Sequence, residues 1–411
     1  MSNAETLSRP PLRAWLVLAM LCVVGCLNYL DRIMITTMRG SIMEAMPMSD
    51  ARFGLLSSVF LWVYGILSPL GGFLADRFKR SSVIIVSLFV WSAVTWLTAH
   101  AGTYGELLAT RALMGVSEAC YMPAALALIA DYHRGATRSL ATGIHMMGVG
   151  LGQSLGFIGG SLAEKHDWSY AFSLFGALGV GYAFILAVSL RDAPAGAREH
   201  YPASGRQAIG FRDALANLFG RPGFLRILAF WGLLGVVSWL IVGWLPTFYK
   251  EQLELSQGMA GLYATGYINT MAMLGVLAGG ILADRWSRIN PRARILVPAI
   301  GMCLAAPAVF LASNSAVVTV AVGGFMVYGF TKAFTDANMM PILCMVADQR
   351  YRATGYGVLN MCSCMIGGIG LYAGGSLRDA NIELGYIFQT ASVMMLVCAA
   401  LLYTLRPVKS N

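Results

Sequence analysis

Apolar and polar positions alternate along this chain in long blocks, not with the short periods of a water-soluble fold. Twelve apolar stretches of 19–31 residues run at 14–36, 53–75, 82–100, 104–130, 138–162, 168–190, 223–249, 259–283, 293–313, 316–346, 354–377 and 383–405. A bilayer core is crossed by about 20 helical residues, so each block predicts one transmembrane helix. The first block is read as a span and not as a cleaved signal peptide, because it is long and carries Asp31 and Arg32 near its end.

Composition agrees. Hydrophobic residues make up 57% of the 411 and charged residues 12%, against roughly 25% charged in soluble domains. Mean hydropathy is +0.65. A soluble enzyme and a disordered chain are excluded. So is a nucleic-acid binder, because the net charge of +9 is spread thinly. With the N-terminus inside, 21 of the 29 Lys and Arg fall on the cytoplasmic side. Five fall outside (Arg39, Arg52, Lys165, Lys250 and Arg378), and Arg32, Arg111 and Lys332 lie at membrane depth. That asymmetry predicts both termini in the cytoplasm. All eight cysteines sit in predicted helices as small apolar side chains, without metal or disulfide spacing.

The chain repeats itself. GGFLADRFKR at 71–80 returns as GGILADRWSR at 279–288, each after the second helix of a six-helix set. Pro123 and Asp131 are echoed by Pro341 and Asp348, and GGSL recurs at 159–162 and 374–377. Three matches in one order predict an all-α membrane protein of twelve helices in two six-helix halves. The first half is 1–190, a polar cytoplasmic linker is 191–222, and the second half is 223–411. A parallel repeat of this kind predicts a ligand site near the midplane, between the halves. In the linker, FRDALANLF at 211–219 is amphipathic enough to lie on the inner membrane surface.

The duplicated loop resembles the signature of the major facilitator superfamily. Here it comprises Gly72, Asp76, Arg77 and Arg80, then Gly280, Asp284, Arg285 and Arg288. Lys79 stands where the family pattern usually has a further glycine. The resemblance implies that these charges clamp the cytoplasmic helix ends in the outward-open state, as breakable ion pairs. Gly148, Gly152, Gly156 and Gly160 recur every four residues on the fifth helix; Gly275 with Gly279, and Gly370 with Gly374, do so on the eighth and eleventh. Such stripes permit tight crossings, either as sliding surfaces or as static packing.

Six ionisable residues fall at membrane depth: Asp31 and Arg32 on the first helix, Arg111 and Glu118 on the fourth, Lys332 and Asp336 on the tenth. At such depth each is a functional candidate by default. Neighbours Asp31 and Arg32 point about 100° apart on a helix. Arg111 and Glu118, seven residues apart, share a face. Gly115 leaves room beside the Arg111 guanidinium, and two facing arginines suit a carboxylate bidentately. Mutual neutralisation of three acids and three bases is the bland alternative.

N-Y-x-D-R on the first helix, with Arg and Glu seven apart on the fourth, resembles the anion:cation symporter branch, which holds bacterial sugar-acid transporters and vesicular anion carriers. That resemblance implies Arg32 and Arg111 as carboxylate ligands and Asp31 and Glu118 as protonation sites. It adds Tyr29, Tyr64 and Asn360 as cavity contacts. RALMGVSEACY and ADYHRGATRS are at least as similar to Spinster-like transporters, which are linked to amphipathic lipids such as lysophospholipids. Asp336 stands five residues before Pro341 as Glu118 stands five before Pro123, so it is the repeat partner of Glu118, in coupling or in a silent i,i+4 pair with Lys332. Gln153 and His145 are further cavity candidates, His145 reading more readily as a core residue.

No phosphate loop, metal-ligand spacing or nucleophile–base pair occurs, so neither enzyme chemistry nor a cofactor is expected. A channel would be the other class; duplicated halves with gate loops and no repeated pore loop argue against it. The expectation is a monomeric, multi-pass transporter of the bacterial inner membrane, moving a small organic anion together with a proton by rocker-switch alternating access, surrounded by membrane lipid.

Overall fold

The computed structural model describes residues 12–133, 137–193, 211–347 and 351–405, without the side chains of Asp76, Ser139, Phe211, Arg352 and Ala353. Asp348, the Asp76 side chain and most of the linker therefore lie outside the described residues. The rest is helical. The first half comprises α1 (Leu12–Thr37), α2 (Arg39–Ala45), α3 (Asp50–Arg77), α4 (Arg80–Thr98), α5 (Tyr104–Glu118), α6 (Tyr121–Tyr132), α7 (Arg138–Ser154), α8 (Phe157–Lys165) and α9 (Trp168–Ser189). Then come α10 (Phe211–Phe219), α11 (Pro222–Gln252), α12 (Gln257–Gly261), a π-helical stretch (Leu262–Tyr267), α13 (Ile268–Ser287), α14 (Ala293–Ser313), α15 (Val318–Val346), α16 (Arg352–Asp379) and α17 (Leu384–Tyr403).

Eleven helical segments among the described residues are long and apolar enough to cross a membrane, each matching a predicted block. The predicted fifth span, 138–162, is instead two shorter helices, α7 and α8, broken at Leu155 and Gly156. Thr37 bridges the break from α1: its hydroxyl oxygen accepts from Gly160 N at 3.0 Å, and its proton is shared between Gly156 O at 3.0 Å and Met34 O of its own helix at 2.8 Å. The fourth span is also divided, between α5 and α6, at Ala119–Cys120. Pro123 sits in the first turn of α6, where its missing N–H is tolerated, and its ring disfavours a straight run through the preceding turn. Its repeat partner Pro341 lies inside a continuous α15. The halves therefore depart from their symmetry at the helix that carries Glu118.

The glycine stripes read from sequence pack mostly inside each half, except at Gly160, where a Cβ would lie 3.2 Å from Gln257 O of the second half. Gly148 and Gly152 lie against Cys22 and Cys26 of α1, Gly275 and Gly279 against Phe330 and Phe334 of α15, and Gly370 and Gly374 against Val236 and Trp244 of α11. The halves meet chiefly where α3 packs on α16, with α8 on α12 as a second contact. α10 tucks Ala214 and Leu218 into the protein beside Phe224, so part of its apolar face is already covered. Cys364 and Cys398 are buried as expected, whereas Cys303 is exposed on α14.

Candidate functional site

A cavity of about 250 Å³ opens between the halves. The first half lines it with Tyr29, Arg32, Tyr64 and Gln153. The second contributes Lys332, Asp336, Asn360 and two serines, Ser238 and Ser363. Trp231, Leu234, Trp239 and Val242 of α11 give it an apolar wall. The lining is mixed: charged and hydroxyl groups can solvate charge, and the tryptophans offer flat aromatic area.

Arg32 is the pivot of the polar side. Its guanidinium lies over the rings of Tyr29, Tyr64 and Phe60, at 4.4, 4.5 and 4.8 Å from their centroids. Guanidinium stacks on aromatic faces where ammonium would not fit as well. From that cage Nη2 donates to Glu118 Oε2 at 2.8 Å. Arg32 is 5% exposed and Glu118 1%, so this pair is shielded, with Arg32 at the cavity surface and Glu118 behind it. The other Glu118 oxygen and Arg32 Nε have no protein hydrogen-bond partner among the described residues.

The remaining first-half charges stand back from the cavity. Asp31 turns into the half-bundle, where Thr95 of α4 donates to its Oδ2 at 3.3 Å, as expected for neighbours on a helix. Arg111 is 1% exposed, stacks on Phe60 at 5.0 Å and donates to Met114 Sδ at 3.3 Å. It meets Arg32 in a crevice of only about 10 Å³, under Trp239 and Leu371 of the second half. Gly115 does not leave room for this guanidinium: a Cβ there would lie 2.8 Å from Phe60 O, so the glycine serves the approach of α5 to α3.

Lys332 and Asp336 form the i,i+4 pair, Nζ to the two carboxylate oxygens at 2.9 and 2.8 Å, and both line the cavity. Gln153 faces the cavity, while His145 is fully buried, with Nε2 3.5 Å from Tyr121 Oη. Trp231, Ser238, Trp239 and Ser363 were not singled out from sequence, since tryptophan and serine inside an apolar helix look the same whether they pack or line a cavity. Of the loop charges, Arg80 pairs with Asp131 and donates to Ala127 O at 2.8 Å. Asp284 pairs with Arg294 at 3.2 Å, and Arg77, Arg285 and Arg288 are exposed. Each of these pairs stays within one half.

A multi-pass helical bundle around a cavity lined by charged and aromatic side chains is an architecture that membrane transporters share. Residues 21–371 match the Major Facilitator Superfamily, and the chain belongs to that family. It is similar to Protein spinster homolog 3 of Danio rerio, 28% identical over 403 residues, spanning 92% of this chain and 80% of that protein. Protein spinster homolog 1 of Xenopus tropicalis is also 28% identical, over 410 residues, 93% of this chain and 77% of that one. Among solved structures, a bacterial homolog of the human lysosomal transporter Spinster, in an inward-facing occupied conformation, shares the fold. Its TM-score is 0.79 at 21% identity, over 96% of this chain and 97% of that one. The protein is thus a Major Facilitator Superfamily transporter, an integral membrane protein.

Proposed function

We propose that this transporter is proton-coupled and carries an organic anion with a substantial apolar part. The observation behind the reading is the shielded Arg32–Glu118 pair at the cavity surface, 2.8 Å long. Arg32 can be neutralised by Glu118 or by a substrate anion, and two carboxylates competing for one buried guanidinium is unfavourable. A proton on Glu118 releases Arg32 to the anion; loss of that proton restores the pair and expels the anion. Binding of anion and proton is therefore mutually supportive, which is what symport needs. Asp31 and Arg111 set the local charge behind this exchange, and Asp336 with Lys332 faces it from the second half.

An amphipathic anion is favoured over a compact sugar acid by the wall of Trp231, Leu234, Trp239 and Val242, since apolar walls with few polar groups select apolar ligand surface. The resemblance to Spinster-like transporters, linked to lysophospholipids, points the same way. Residues 1–190 and 223–411 rock as two bundles on the linker 191–222. The excess of Lys and Arg beside one set of helix ends supports cytoplasmic termini, in a membrane we take to be the bacterial inner membrane. Asp76, Arg77, Arg80, Asp284, Arg285 and Arg288 then gate the inner end.

Glu118→Gln tests the coupling. In proteoliposomes, accumulation driven by a pH gradient disappears while exchange of labelled for unlabelled anion survives. Continued accumulation moves the coupling to Asp31 or Asp336; loss of exchange makes Glu118 a binding or structural residue.

A further inference from the structure

The end of the molecule away from the chain termini is fastened by charge. Arg39, the first residue of α2, donates through Nε to Asp50 at 2.9 Å and through Nη1 to Glu251 at 3.0 Å. Arg378, in the last turn of α16, donates through Nε to the other Asp50 oxygen at 2.9 Å, and its Nη2 lies 2.8 Å from Glu251 Oε2. Arg39 and Asp50 belong to the first half, Glu251 and Arg378 to the second. Each arginine therefore bridges both carboxylates, and each carboxylate is shared across the boundary. Beneath them the buried Trp244 ring takes both guanidinium groups, at 5.9 and 5.8 Å.

Asp379 adds a second kind of link. Its two oxygens accept from the backbone N–H of Asp50 at 2.8 Å and of Ala51 at 3.0 Å. These are among the donors a helix leaves unsatisfied at its start, so α3 in one half is capped by a carboxylate from the other. Backbones are correspondingly close: a Cβ at Gly54 would fall 2.7 Å from Leu371 O, and one at Gly375 would overlap the Asp50 carbonyl.

We propose that Arg39, Asp50, Glu251, Arg378 and Asp379 form a clasp that holds this end shut and comes apart whenever the end opens. The inference rests on the alternating-access reading above. Asp50 is the hub, because it takes both arginines while its own amide is held by Asp379. A closed ring of four charges, three of them only 13–15% exposed, is a stronger restraint than isolated surface pairs. Its contacts exist in one state only, so they weight that state in the resting population.

The test uses spin-label distances in detergent and in liposomes, with native cysteines replaced. One label pair, Glu44→Cys with Glu383→Cys, spans the clasped end; another, Lys79→Cys with Ile289→Cys, spans the opposite end. Asp50→Asn and Asp379→Asn should each raise the open fraction at the clasped end several-fold to about tenfold, with the opposite end narrowing in step. Glu251→Gln, at an exposed position, guards against misfolding and should act in the same direction more weakly. High salt should loosen the wild-type end more than that of Asp50→Asn, since screening removes only what charge supplies. Unchanged distances in all three variants, while the opposite end still responds to pH or lysolipid, would overturn the clasp and leave the transport reading standing. Distances fixed at both ends under every condition would overturn both.

Discussion

At the scale of the residue, Arg32 carries more of the site than any other group. Three rings hold its guanidinium, and Glu118 meets it from behind. Removing one member of a shielded pair strands the other, at roughly 3–5 kcal/mol. Arg32→Ala should therefore lower Tm sharply, whereas Arg32→Ala/Glu118→Gln recovers most of the loss. A double-mutant cycle by thermal unfolding in detergent checks this, and additive losses would mean that the pair contributes little to stability. Neither variant should bind the anion, which separates the ligand role of Arg32 from its structural one. Sequence marked Arg32 and Glu118 as costly charges at depth. It could not pair them, because Arg111 stood two turns from Glu118 on the same helix and only side-chain packing across α1, α3 and α5 sends Arg32 there instead.

At the scale of the element, one of the two helix breaks falls beside a candidate site residue. The division between α5 and α6 falls directly after Glu118, and that between α7 and α8 is bridged by Thr37. Pro123 accounts for the first, although the apolar pattern at 104–130 shows one unbroken span. Nothing local announced the second, since Gly156 belongs to a smooth stripe and its bridging hydroxyl lies 119 residues away. Thr37→Val keeps the shape and removes the hydroxyl, so it should destabilise by about 1 kcal/mol and increase hydrogen exchange around Gly156–Gly160. Exchange unchanged in that segment would show that the break holds without the bridge.

At the scale of the whole molecule, the loop charges take on meaning from the state they are seen in. Here the far end is clasped, and Asp284, Arg285 and Arg288 make no hydrogen bond or ion pair with the other half among the described residues. If the gate contacts belong to the opposite state, Asp284→Asn weakens only that state. The population then shifts further toward the one described, and cysteine labelling at the termini-bearing side of the cavity rises several-fold. Unchanged labelling would leave Asp284 as a topology signal. Asp284→Asn and Asp50→Asn should thus push the equilibrium in opposite directions, a contrast that general destabilisation cannot produce.

What the sequence determined by itself follows from rules that act along the chain. Apolar block length set the membrane spans, and the Lys and Arg asymmetry set the expected topology. The repeated GGFLADRFKR and GGILADRWSR pointed to a duplication, and the energetic penalty on intramembrane charge singled out six residues. The tertiary structure decided which partners those residues take: Glu118 for Arg32, Thr95 for Asp31 and a crevice for Arg111, with the tryptophans of α11 lining the same cavity. It also showed that the visible glycine stripes pack mostly within halves, with Gly160 alone of them reaching Gln257 across the boundary, while Gly54 and Gly375, unremarkable in sequence, sit where the halves meet. The clasp was the most hidden, because Arg39, Asp50, Glu251 and Arg378 read as ordinary loop charges. Helix period and hydropathy are short-range properties, whereas an ion pair or a cavity wall depends on which distant helices fold into contact.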